Sequence, residues 1–140
     1  VENGEWRRKD NSQLSTLNSQ LPKGPLWHKS FAFALRIVKL AKFLQSEQKE
    51  FVLSKQVLRS GTAIGALVRE AEHAQSKADF ISKMSIALKE ANETDYWLDL
   101  LHQSDYLTKD SYDSIHPDIQ ELIKLLVSIV KTSKGGNHEQ

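Results

Sequence analysis

The chain has 140 residues, 39% hydrophobic and 26% charged, which suits one domain with its own core. It contains no cysteine, so disulfides, thiolate metal sites and cysteine nucleophiles are excluded together, and a reducing, cytoplasmic setting is expected. Nineteen Lys and Arg against 18 Asp and Glu leave a formal net charge of +1, so any basic site must come from local arrangement.

No apolar run approaches the roughly 18–20 residues of a bilayer span, and no basic-then-apolar leader opens the chain. No membrane partner is expected. Residues 1–25 read as a flexible polar arm with a small basic cluster, Arg7, Arg8 and Lys9, while Pro22 and Pro25 delay the first helix until about Leu26. A helical bundle is expected over 26–134, and a disordered tail over 135–140, where Gly135 and Gly136 stand together.

The first helix is predicted from about Trp27 or Ser30 to Leu44. Phe33, Ile37, Leu40 and Leu44 form its apolar line, with Ala34, Val38 and Ala41 beside it. A charged linker, Gln45–Glu50, leads to a second helix over about Val52–Ala74. Gly61 and Gly65 lie inside that helix, each costing about 1 kcal/mol relative to Ala. A neighbouring helix packed against bare backbone would offset this, the alternative being a kink near Gly61. Ser76 and Asp79 form a capping-box pattern for the third helix, which ends near His102–Ser104. After Thr108 or Asp110 a fourth pattern starts. Pro117 predicts a kink or short turn there, followed by a main helix over Pro117–Thr132 with Ile119, Leu122, Ile123, Leu126, Val127 and Val130 inward. Nothing reads as a strand, so the fold class is all-α.

The third helix supports two apolar faces. Phe80, Ile81, Met84, Leu88, Ala91 and Leu98 fall on one side. Ile86, Trp97, Leu100 and Leu101 collect in a second sector of roughly 100°, together with Glu90 and Glu93. Either the core is broad and Trp97 closes its edge, or this second face meets another subunit. Adjacent positions diverge by about 100°, so Tyr96 and Trp97 cannot both enter the core. The candidate interface is therefore Ile86, Glu90, Glu93, Trp97, Leu100 and Leu101.

No Gly-rich phosphate loop, nucleophile elbow or His-Glu-x-x-His is present. Glu70-x-x-His73 and Asp99-x-x-His102 imitate di-iron ligand pairs, but a hairpin turning at Ser76 separates the two histidines by more than roughly 30 Å. Glu70, Glu90 and Glu93 lack an accompanying nucleophile and suit salt bridges to Arg59, Arg69, Lys83 or Lys89. No metal, cofactor or enzymatic activity is expected. Lys55, Arg59, Arg69, Lys83 and Lys89 are the candidate contacts to RNA or DNA, to be multiplied if subunits form a ring.

Within Gln56–Leu101, three blocks stand out: Gln56, Arg59, Ser60, Ile64, Ala66 and Glu70, then Lys77, Asp79 and Phe80, then Ala87–Glu90, Glu93, Thr94 and Tyr96–Leu98. With these residues the run resembles the four-helix-bundle protein family of intervening sequences in bacterial 23S ribosomal RNA genes, relatives of which are the accessory variability determinant proteins of retroelements. Ala63 and Leu67 replace the family's usual Ser and Asn. The resemblance implies an antiparallel up-and-down four-helix bundle assembled as a homopentamer, and for the retroelement relatives binding to nucleic acid and a reverse transcriptase. The expected function is a non-enzymatic homo-oligomer, acting as an RNA- or DNA-binding accessory protein or, alternatively, as a scaffold or adaptor that binds protein only.

Overall fold

A computed structural model of the protein describes residues 23–139. Most of the polar arm, including Arg7–Lys9, and Gln140 of the tail lie outside the described residues. Four helices follow one another: α1 (Pro25–Ser46), α2 (Leu53–Glu72), α3 (Lys77–Gln103) and α4 (Lys109–Glu139). Each packs on its chain neighbours, and α4 closes back onto α1, giving an antiparallel four-helix bundle with no strand among the described residues. No described helix is long and apolar enough to cross a membrane.

The helix ends follow from local chemistry. Pro25 begins α1 instead of delaying it, because the first turn needs no N–H from that position. The linker before α2 is a built cap, which sequence patterning does not reveal. Glu50 accepts from the backbone N–H groups of Val52 (3.1 Å), Leu53 (2.8 Å) and Ser54 (2.7 Å), and its own carbonyl accepts from the Ser54 hydroxyl. Burial raises its pKa, but these donors outweigh burial and hold the carboxyl below its ordinary value. Lys49, at φ 54°, makes the turn that delivers Glu50. Ser76 caps α3 by accepting from the Asp79 N–H at 3.0 Å, while Asp79 reaches back to the Gln75 N–H at 3.2 Å.

Two expectations about α4 are corrected. The helix passes through Pro117 without a break and continues beyond Thr132 to Glu139. Pro117 lies on the exposed side, where water can take the carbonyl it leaves unbonded, and His116 is held in place by Asp95 at 2.9 Å. Val38 and Val127, expected near the core, are exposed.

The core is filled by Phe33, Ile37 and Leu44 of α1, Val57 and Ile64 of α2, Leu98 and Leu101 of α3, and Ile119, Leu122 and Leu126 of α4. Gly61 and Gly65 face α1, and α2 is continuous across both. A Cβ on Gly61 would lie 2.8 Å from Ile37 Cγ1, and one on Gly65 would lie 3.3 Å from the Ser30 carbonyl oxygen. Close approach of α1 therefore accounts for both glycines. On the other side of α2, Ser60 and Thr94 are fully buried and bonded to each other at 2.9 Å.

Candidate functional site

The outward face of α3 resolves differently from its sequence pattern. Leu101 is wholly buried within its own chain and cannot belong to an outer interface, because only about 60° separates it from Leu98 on the core side. Trp97 remains half-buried against the core, while the Tyr96 ring leaves it and is 57% exposed. Ile86 is exposed and Leu100 is half-buried. Of the proposed face, Ile86, Leu100 and part of Trp97 reach the surface, joined by Tyr96.

Glu90 and Glu93, from the same face, converge on one guanidinium. Arg59 of α2 bonds Glu90 at 3.2 Å and also Glu93, and the Trp97 indole N–H donates to Glu93 at 3.0 Å. The indole and then Arg59 hold the Glu93 carboxyl below its usual value, and Glu93 raises the pKa of Arg59 in turn. This arrangement locks α2 to α3. It contains no Ser, Thr or Cys nucleophile beside the two carboxylates.

The candidate phosphate contacts do not converge on one site. Arg59 is engaged by two carboxylates, and Lys83 pairs with Asp79 at 3.0 Å. Arg69 stacks over Trp27 and Phe31, with its guanidinium carbon 4.4 and 4.7 Å from the ring centroids. Lys55 and Lys89 are exposed, with no direct ion pair among the described residues. Glu70 is exposed, contributing only a longer-range attraction to Lys83.

The two metal-like pairs are put to other uses. His73 is exposed at the end of α2, and Asp99 accepts from the Tyr112 hydroxyl. His102, Tyr112 and His116 stack in series, with centroids 4.5 and 4.7 Å apart. Burial, then the neighbouring Asp99, push the Tyr112 phenol well above its ordinary range. Among the described residues no group of three or more His, Asp or Glu is placed to hold a metal ion.

A second surface went unread in the sequence. Phe31, Leu35 and Val38 follow an i, i+4, i+7 spacing on the side of α1 turned from Phe33, Ile37 and Leu44, and are 46%, 51% and 36% exposed. The spacing itself was the available signal. Mixed with the core residues of a strongly apolar helix, it does not announce which stripe faces inward.

These features define an all-α four-helix bundle with an exposed apolar stripe on α1. The chain belongs to the 23S rRNA-intervening sequence protein family, whose pattern it matches over residues 23–128. It is also similar to a solved protein of unknown function from the S23 ribosomal protein family of Bacteroides thetaiotaomicron. The two share 63% identity, with 76% of this chain and 98% of that one covered, at a TM-score of 0.75. No curated protein matches the chain.

Proposed function

We propose that the protein works as a non-enzymatic helical module that assembles with copies of itself. The carrying observation is the exposed stripe Phe31, Leu35 and Val38 on α1, supplemented by Ile86 and Tyr96 on α3. Large apolar side chains aligned along a helix and turned from its own core favour burial against another protein surface. A homopentamer is the assembly that the resemblance implies, and a cytoplasmic location accords with the cysteine-free composition.

Light scattering of the full chain at micromolar concentration tests assembly, with a multiple of the 15.9 kDa chain mass expected. Leu35→Lys should lower that mass while leaving helical circular dichroism unchanged; a monomeric wild type would overturn the reading. Trp97→Lys should do the same more weakly, since the indole is only partly outward.

Binding to RNA or DNA is the second reading, favoured by the charge of α1. That helix carries Lys29, Arg36, Lys39 and Lys42 and no acidic residue. Lys29 and Arg36 are paired with Glu121 and Asp118, leaving exposed Lys39 and Lys42, with Lys55 of α2, as the strongest candidate contacts. Titration of labelled RNA and DNA across salt decides: affinity must fall steeply as salt rises. No binding at low salt would leave a scaffold or adaptor that binds protein only. A reverse transcriptase partner rests on the retroelement resemblance alone.

A further inference from the structure

The bundle is hollow at the end where α1 and α3 begin and α2 finishes. A cavity of about 520 Å³ opens there, with walls from all four helices: Leu26 and Trp27 of α1, Val68 of α2, Phe80 and Met84 of α3, and Leu125 of α4. That volume falls within the range of sites that enclose small organic molecules, and a mostly apolar wall with few polar groups is their usual construction. Hydrocarbon seated in the recess would be stabilised by roughly 25 cal/mol for each Å² removed from water.

The polar groups around the recess are nearly all donors. The Trp27 Nε1–H is shielded from solvent and has no acceptor among the described residues, although buried indole N–H groups ordinarily find one. The first turn of α1, part of the same wall, carries neither a capping side chain nor an acidic residue to answer its free N–H groups and the positive end of the helix dipole. Lys23 stands beside them, its ammonium 4.4 Å from the centre of the Trp27 ring. The Ser76 oxygen is engaged by the Asp79 N–H, which leaves that hydroxyl a hydrogen to donate. Glu72 is the one carboxylate among the lining residues, and it comes from the end of α2 rather than from α1. We propose that the recess binds a small amphiphilic carboxylate, its hydrocarbon body among Val68, Phe80, Met84 and Leu125 and its head group accepting from the Trp27 indole and the start of α1, beside Lys23. One anionic acceptor there answers the indole N–H, the uncapped helix end and the ammonium together. A cationic or purely hydrocarbon guest leaves all three without a partner.

Calorimetric titration of the full-length protein with octanoate, octanol and octylamine, all fully dissolved at neutral pH, separates body from head group. Octanoate should saturate one site per chain and bind several-fold more tightly than octanol, with octylamine weakest. It should also raise the midpoint of thermal unfolding, as a molecule bound only by the folded state does. Trp27→Phe keeps a ring in the wall but removes the N–H, and should weaken octanoate several-fold while leaving octanol nearly unchanged. Met84→Trp fills the recess from a buried wall position and should abolish binding of both, with helical circular dichroism retained. The absence of saturable octanoate binding, or undiminished binding to a folded Met84→Trp variant, overturns the site. Octanol or octylamine binding as tightly as octanoate overturns the carboxylate assignment. Should Met84→Trp fail to fold, Trp27→Phe still decides, since unchanged affinity for octanoate in that variant also overturns the proposal.

Discussion

The helices α2 and α4 are attached to the bundle by different chemistry. Against α1, α2 presents two glycines, Gly61 against the buried Ile37 side chain and Gly65 against the Ser30 backbone, and against α3 a buried Ser60–Thr94 hydroxyl pair, so these helices approach closely through short or branched groups with little room to adjust. The polar attachments of α4 instead use long side chains near the surface: Arg36 to Ser114 and Asp118, Lys29 to Glu121, His116 to Asp95, and Tyr112 to Asp99. A close-packed contact fails abruptly when enlarged, whereas a contact through flexible, half-solvated groups loses a little at a time.

Gly61→Leu is the harshest way to probe that contrast. The new side chain has to displace Ile37, which is wholly buried, and unfolding by urea should show a loss of at least about 3 kcal/mol. Gly61→Ala is more informative, because its helix-propensity gain of about 1 kcal/mol opposes the 2.8 Å approach to Ile37. Overpacking should win, giving a net destabilisation. If Gly61→Ala proved stabilising, the close seam would be yielding and the contrast with α4 would collapse.

Glu50→Ala should cost about 2 kcal/mol, since it strips three N–H groups at the start of α2 of their acceptor. Its pH dependence has a fixed sign. The folded-state pKa lies below the unfolded value, so the stabilisation is fully present above the unfolded carboxylate pKa and is lost as pH falls through the folded one. The stability gap between wild type and Glu50→Gln should therefore narrow on acidification below about pH 4.5. A gap constant down to pH 2 would show that the charge is immaterial to the cap.

Thr94→Val keeps the shape but removes the partner of the buried Ser60 hydroxyl, and should cost about 1.5 kcal/mol. The double variant with Ser60→Ala should cost less than the sum of the two single changes. Arg36→Ala should have the smallest effect, below about 1 kcal/mol, because its ion pair with Asp118 is more than a third exposed. If Arg36→Ala matched Thr94→Val, α4 would be as tightly fixed as α2.

The number and order of the four helices and the need for a helix packed close to Gly61 and Gly65 were legible because both are properties of short stretches, whereas the passage of α4 through Pro117 was not. Hydrophobic spacing selects an inward side, and a glycine inside a helix costs stability wherever it sits. The Ser76–Asp79 cap was readable for the same reason, its donor and acceptor lying three residues apart. Glu50 was not, because its capping role depends on the positive φ at Lys49 and on burial beneath the α1–α2 turn, neither of which leaves a motif.

On α3, periodicity alone established that Tyr96 and Trp97 had to diverge. It could not say which ring would stay, since that depends on what lies opposite: Arg59 of α2 gathers Glu93, Glu93 takes the Trp97 N–H, and Tyr96 is left outside. Leu101 turned inward, the spread of the five basic residues and the outward stripe of α1 have the same origin. Each depends on side chains far apart in sequence meeting across helices, and the period of a single helix carries no information about its partners.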